Sequence, residues 1–179
     1  NHPNVVPLID AVLDGETPWL MYEYVGGGSL TDLIHRWQGL PAAEREALAV
    51  AALHQLASAV GTFHRLAPPI VLRDLKPANI ILGEGEHAGR VKVVDFGLAK
   101  AIAPGVDRES GAGQAIANSP TFTSPAVTQH GVILGTAAYM SPEQAKGESI
   151  DARSDLFSLG SVLYTMCTGR PGFRAETTM

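Results

Sequence analysis

The chain has 179 residues, which is enough for one domain with a hydrophobic core. A hydrophobic content of 45% and a charged content of 17% are typical of a globular protein and exclude a disordered one. A net charge of −5 without a basic stripe argues against a nucleic-acid-binding protein. The single cysteine, Cys167, excludes a disulfide framework, and no apolar run approaches the roughly 20 residues of a membrane span. We therefore expect no nucleic-acid partner and no membrane contact from this segment.

The first predicted element is a β-hairpin. Asp14-Gly15 is a strong signal for a two-residue turn, and an apolar run at 11–13 precedes it. The run at 19–25 is rich in aromatic and β-branched residues and predicts the second strand. That strand ends at Gly26-Gly27-Gly28, which predicts a flexible break in the chain.

Two helices are predicted after the glycines. Ser29 is suited to cap a short helix over 30–36, with Asp32 in its first turn. Pro41 begins a longer helix with a core-facing stripe at near-helical spacing, made of Leu48, Ala52, Leu56, Val60 and Phe63. His64 stands at the end of this helix and has no evident partner in the sequence.

The stretch 71–82 places an acid, a lysine and an amide between two apolar, β-like runs. Pro77 fixes its own backbone and keeps a helix from crossing the middle. We expect Asp74, Lys76 and Asn79 to converge on one side of this rigid loop. An acid can orient a hydroxyl and accept its proton, a lysine can hold phosphate charge, and an amide oxygen can ligate a hard divalent cation.

Beyond the loop, the alternating residues 90–94 predict a strand that delivers Asp95. Residues 100–130 shift to small and polar types and predict a long mobile insertion. It holds four candidate phosphorylation sites: Thr121, Thr123, Ser124 and Thr128. A short helix begins at Ser141, and a helix over 156–168 ends at Gly169. The apolar residues of this last helix, Leu156 among them, cover most of its circumference and predict burial on most sides.

Three motifs in this order resemble those of serine/threonine protein kinases. The R-D-x-K-x-x-N pattern at 73–79 resembles the kinase catalytic loop, and Asp95-Phe96-Gly97 resembles the D-F-G motif. Residues 135–143 resemble the end of an activation segment, with S-P-E in place of A-P-E. The residues of the last motif are most similar to those of bacterial eukaryotic-like (Hanks-type) kinases.

The resemblance implies an α+β, protein-kinase-like fold, present here as a fragment. The end of the small lobe would occupy 1–25 and the hinge 26–28. An incomplete, mostly helical large lobe would occupy 29–179, with the activation segment at 95–143. The Gly-rich loop and the small-lobe lysine have no counterpart in these residues. We therefore expect residues 1–179 alone to have little or no kinase activity. We also expect poor solubility, since the helix over 156–168 would expose apolar surface that matches absent parts of the domain.

By the same resemblance, Asp74 would orient the substrate hydroxyl and accept its proton. Lys76 would steady the transferring phosphoryl group, and Thr136 would brace Asp74 and Lys76. Asp155 would hold the backbone of the catalytic loop, and Arg73 would pair with a phosphate added to the activation segment.

The implied cofactors are ATP and Mg²⁺. The residues that would hold the nucleotide are Glu23 and Val25, by their backbone groups, and Lys76, Asn79, Ile81 and Asp95. Asn79 and Asp95 would also ligate Mg²⁺. Leu8 would pack in the spine of the domain toward Phe96. The implied partners are protein substrates with Ser or Thr, and a second copy for trans-autophosphorylation. The implied location is cytoplasmic, with an anchoring membrane segment of the full-length protein lying outside this chain.

Leu72 departs from the kinase pattern, which has histidine there. Leucine keeps the packing and loses a hydrogen bond of about 1 kcal/mol. This change and the missing small-lobe motifs leave a pseudokinase or scaffold as an alternative. Four retained polar residues argue against that alternative: Asp74, Lys76, Asn79 and Asp95. A small-molecule phosphotransferase is a third reading. Lys76, Thr136 and the 141–143 motif argue against it, because they build a platform for a peptide substrate.

Overall fold

The structure is a computed structural model and describes residues 2–12, 19–94 and 137–173. These residues form a two-stranded and a three-stranded antiparallel sheet together with four α-helices. The strands are β1 Leu8–Val12, β2 Trp19–Tyr22, β3 Gly27–Ser29, β4 Ile80–Gly83 and β5 Val91–Val93. The helices are α1 Leu30–Trp37, α2 Ala42–His64, α3 Pro142–Lys146 and α4 Ala152–Thr168.

The predicted hairpin is confirmed by the pairing of β1 with β2, which runs from Leu8 opposite Tyr22 to Val12 opposite Trp19. Its turn lies outside the described residues. The second strand ends at Tyr22 and is three residues shorter than predicted. Leu8 is 46% exposed, so the expectation that it packs inside the domain is wrong.

The glycine triplet is not a flexible break. Gly27 and Gly28 belong to β3 and pair with Gly83 and Leu82 of β4. Gly27 has φ +130°, and a Cβ atom at this position would collide with the carbonyl oxygen of Leu82. The glycine is therefore required because two backbones approach closely here, which is a long-range effect that composition alone does not reveal.

The short helix α1 begins as predicted. The Ser29 side chain accepts a hydrogen bond from the backbone N–H of Asp32 and so caps the helix. Leu30, Ile34 and Trp37 are spaced by about one helical turn, and all three are buried in the core.

The predicted stripe of α2 is confirmed at Ala52, Leu56 and Val60, which are buried. It is wrong at Leu48, which is partly exposed. The buried face instead includes two small residues, Ala49 and Ala59. Alanines permit close approach of a neighbouring helix, and α2 packs against α4 in this structure.

The last helix, α4, ends as predicted at Gly169, which has φ +73°. The expectation of burial on most sides is confirmed except along one stripe of the helix, where Leu156 and Tyr164 are each more than half exposed. The buried face mixes apolar and polar residues: Ser154, Asp155, Ser158, Leu159, Ser161, Val162, Thr165 and Met166. The buried hydroxyls of Ser158, Ser161 and Thr165 are accommodated because they donate to helix carbonyls, as Thr165 does to Ser161 at 2.8 Å.

One hydrophobic core joins α1, α2, α4, β4 and β5. Within the described part of the chain, α2 alone has the length and mean hydropathy of a membrane span. Core helices commonly share both properties, and α2 contributes Leu56, Ala59 and Val60 to this core. The helix therefore gives no separate indication of membrane insertion.

Candidate active site

The loop before β4 is fixed by buried apolar residues. Leu72 and Leu75 are 2% and 3% exposed, and both belong to the core. The expected β-like segment before the loop is wrong, since residues 69–76 form no strand. The expectation that no helix crosses the stretch at Pro77 is confirmed, since residues 71–76 are not helical. Pro77 begins one turn of 3₁₀-helix, Pro77–Asn79, because a proline in the first turn has no N–H to leave unpaired.

The predicted convergence of three polar side chains is confirmed. Lys76 Nζ lies 2.9 Å from Oδ2 of Asp74, and Asn79 Nδ2 donates to the same oxygen at 3.0 Å. Asn79 Nδ2 also lies 3.0 Å from the backbone oxygen of Asp74. The lysine and the amide therefore fix one carboxylate oxygen of Asp74.

Two further oxygens of this cluster, Oδ1 of Asp74 and Oδ1 of Asn79, accept no hydrogen bond from the residues that the structure describes. The side chain of Asp74 is 28% exposed and that of Lys76 is 15% exposed, so solvent reaches both. A carboxylate oxygen and an amide oxygen are suited to a hydroxyl donor and to a hard divalent cation. The cluster thus fits the metal and phosphate chemistry that the loop motif implies.

The backbone of the loop is held by Asp155, which is fully buried at the start of α4. Its two carboxylate oxygens accept hydrogen bonds from the N–H groups of Leu72 and Arg73, at 2.8 and 2.9 Å. The Nε2 atom of His64 lies 2.7 Å from Oδ2 of the same carboxylate. The sequence does not reveal this partner of His64, because the two residues are 91 positions apart and no local pattern joins them.

The short helix α3 faces the loop from the other side. Ser141 and Gln144 form a reciprocal capping box at its start. The amide of Gln144 also donates to the backbone oxygen of Arg73 at 2.7 Å. The hydroxyl of Ser154 donates to Glu143 and holds the pKa of that carboxyl below its ordinary value. These contacts join α3 to the loop and to α4.

The protein kinase domain family matches residues 1–179 of this chain. The chain belongs to the protein kinase family. The serine/threonine-protein kinases PknB of Mycobacterium tuberculosis (strain H37Rv) and of Mycobacterium leprae are 40% and 37% identical to it over 99% of its length. A probable serine/threonine-protein kinase PknB of Bifidobacterium longum is 35% identical over 100% of its length. The chain spans 25%, 25% and 23% of these three proteins, or about a quarter of each. The expected family and the α+β, kinase-like fold are confirmed.

In this kinase domain, the residues expected at the adenine edge lie beside the three-stranded sheet. The N–H of Glu23 donates to the backbone oxygen of Pro7 at 3.0 Å, and Val25 is buried. The carboxylate of Glu23 lies 3.4 Å from Nε2 of His87. Ile81 is half-buried in the middle strand, β4, between Ser29 and Lys92.

The remaining kinase motif residues lie outside the described residues. They are Asp95, Thr136 and the four hydroxyl residues at 121, 123, 124 and 128. The structure does show what precedes Asp95: the N–H of Val94 donates to the backbone oxygen of Asn79 at 2.9 Å. Val94, the last described residue before Asp95, therefore lies directly beside Asn79 of the loop.

Proposed function

We propose that the full-length gene product is an ATP-dependent serine/threonine protein kinase, which transfers the γ-phosphate of ATP to hydroxyls of protein substrates. The observation that carries this proposal is the cluster of Asp74, Lys76 and Asn79, in which one carboxylate oxygen is fixed and the other is accessible. The names of the PknB relatives support the same activity and the same class of acceptor.

In the proposed reaction, the free oxygen of Asp74 accepts a hydrogen bond from the substrate hydroxyl. Asp74 orients this hydroxyl for in-line attack and takes its proton as the bond to phosphorus forms. Lys76 stands within reach of the same carboxylate and balances the charge of the transferring group. Thr136 braces Asp74 and Lys76 in this proposal.

The nucleotide would be held by the backbone groups of Glu23 and Val25 and by the apolar face of Ile81. Asn79 and Asp95 would hold Mg²⁺, and Lys76 would contact the phosphates. The bound metal would neutralise the charge of the phosphate oxygens. Asn79 already uses its amide nitrogen to fix Asp74, which leaves its oxygen to the cation.

We further propose that the domain works in the cytoplasm on protein substrates, without contact to nucleic acid or membrane, and dimerises for trans-autophosphorylation. The pseudokinase alternative finds no support in the loop. Leu72 is buried and packed, and the loop backbone at Leu72 and Arg73 is held by Asp155. The replacement of histidine therefore leaves the catalytic cluster assembled.

The deciding experiment measures phosphoryl transfer by the full-length protein with Mg²⁺-ATP and a general protein substrate. We expect phosphoserine or phosphothreonine, and we expect Asp74→Asn to lower kcat by about 100-fold or more. Because Asp74 itself is proposed to contact the substrate hydroxyl and not the nucleotide, KM for ATP should stay within about threefold.

Asp32→Asn, the same change on the exposed side of α1, is the matched control and should retain full activity. Transfer to tyrosine alone, ATP binding without transfer, or an Asp74→Asn variant as active as the wild type would each contradict the proposal.

A further inference from the structure

We propose that Gln144 is a positioning residue that couples the substrate-side helix α3 to the catalytic aspartate. The inference rests on the proposed function, and it concerns a residue outside the three motifs that identified the family. It is carried by the hydrogen bonds of the Gln144 amide and by the unusual backbone of Arg73.

Gln144 makes three hydrogen bonds, two of them through its side chain. Its Oε1 atom accepts from the N–H of Ser141 at 3.1 Å, and its backbone N–H donates to the Ser141 hydroxyl at 3.3 Å. With this reciprocal cap in place, the Nε2 atom of the amide faces the catalytic loop and donates to the oxygen of Arg73 at 2.7 Å. One side chain therefore both caps α3 and binds the loop.

The backbone of Arg73 needs such support. Arg73 has φ +68°, which lies in the left-handed region that residues with a Cβ seldom occupy. Such a conformation persists where surrounding contacts determine it. The N–H of Arg73 is bound by Asp155 of α4, and its carbonyl is bound by Gln144 of α3. Two separate helices thus hold the two polar groups of this residue.

The carbonyl of Arg73 belongs to the peptide unit that begins Asp74. The N–H of Asp74 lies at the opposite edge of that planar unit and donates to the oxygen of Leu72 at 2.9 Å. Gln144 on one edge and Leu72 on the other prevent the unit from rotating. Because this rotation would swing the Cα–Cβ bond of Asp74, Gln144 sets the direction of the carboxylate without touching substrate.

The position of α3 is itself determined by α4. The Ser154 hydroxyl donates to Glu143, and the Ser158 hydroxyl donates to the oxygen of Tyr139 at 2.8 Å. A displacement of α3 relative to α4 would therefore be transmitted to Asp74 through the side-chain amide of Gln144. Helix α3 lies on the side of the loop where the family motif places the peptide substrate.

The substitution Gln144→Glu separates the two functions of this side chain, which are to cap α3 and to donate to the carbonyl of Arg73. Glutamate forms the same capping box and suits a helix N-terminus, so α3 keeps or gains stability. It has no N–H to give to Arg73, and it would place a carboxylate oxygen against that carbonyl. Gln144→Glu is therefore expected to change catalysis and not folding.

In the full-length protein, we expect Gln144→Glu to lower kcat by about 10- to 100-fold, since small misplacements of a reacting group have effects of this size. KM for ATP and the melting temperature should stay at the wild-type values. The matched control is Gln38→Glu, which removes an amide-to-carbonyl bond to Ile34 in α1, far along the chain from the loop. This control should retain wild-type kcat.

A Gln144→Glu variant with wild-type kcat would overturn the inference, as would one whose kcat and melting temperature fall together, since that pattern indicates a structural role. If the wild-type protein transfers no phosphate, the proposed function fails, and amide hydrogen exchange then tests the coupling of α3 to Asp74. Faster exchange of the Asp74 amide in Gln144→Glu than in Gln38→Glu supports this coupling, and equal exchange rates reject it.

Discussion

The catalytic loop at 71–79 and the β1–β2 hairpin differ in what determines their structure. The loop has no strand of its own before β4, yet Leu72, Leu75 and Pro77 are buried and its backbone is bound by Asp155 and Gln144. The hairpin has a paired backbone but leaves five of its large apolar side chains between 38% and 61% exposed: Leu8, Ile9, Val12, Trp19 and Met21.

The difference shows that regular secondary structure and tertiary support are separate properties. An isolated two-stranded hairpin is marginally stable in water, because pairing alone buries little apolar surface. The irregular loop, in contrast, is held through side chains from α2, α3 and α4. We therefore expect substitutions to be costly in the loop and its supports and nearly neutral in the hairpin.

The largest effect is expected for Asp155→Ala. This change leaves two backbone N–H groups and His64 without their carboxylate partner, so the free energy of unfolding should fall by about 3–5 kcal/mol. Urea denaturation measures the loss. Asp10→Ala, the same substitution in the exposed hairpin, should change stability by less than about 0.5 kcal/mol. Equal losses in the two variants would remove the distinction between the regions.

A smaller effect is expected when one apolar side chain of the loop is shortened. Leu72→Ala removes most of a buried side chain and should cost about 3 kcal/mol. Met21→Ala removes a side chain of similar size from the hairpin, where it is 44% exposed, and should cost less than about 1 kcal/mol. Thermal unfolding of both variants measures the two losses of stability. A larger loss in Met21→Ala than in Leu72→Ala would contradict the expected difference between the hairpin and the loop.

The smallest effect is a pH dependence at the contact between α3 and α4. Since the Ser154 hydroxyl lowers the pKa of Glu143 from its ordinary 4.5, the bond adds stability above that pH. The contribution disappears as the pH falls through the lowered pKa of the folded protein, because Glu143 is then protonated. Ser154→Ala should therefore melt slightly below the wild type at pH 7, and the gap should close in acid. A gap that persists in acid would assign the effect to packing of Ser154 rather than to the carboxylate.

The parts of the fold that depend on local signals were predictable from sequence. Ser29 caps α1, Gly169 ends α4, and the aromatic run after the hairpin turn forms β2, each because neighbouring residues determine the conformation. The loop cluster belongs to the same class, since Asp74 and Asn79 are only five positions apart.

Contacts between distant residues were not predictable. His64 reaches Asp155 across 91 positions, and Gln144 reaches Arg73 across 71. Both depend on how helices pack, which periodicity does not encode. The exposure of Leu156 in α4 was unpredictable for the same reason. An apolar residue indicates that a helix face can be buried, but it does not indicate which element packs against that face.

The pairing of Gly27 and Gly28 with β4 has a mechanical consequence. These residues, together with Gly26, whose carbonyl accepts from the N–H of Glu84 at 3.0 Å, are bonded to the strand that carries Ile81. They must therefore travel with the catalytic loop as one rigid body. The β1–β2 hairpin joins that body at both of its ends, through residues 23–25 at the expected adenine edge and through Val6, whose N–H donates to the backbone oxygen of Val93 at 3.1 Å. Any rocking of the hairpin relative to that body must therefore bend both connections.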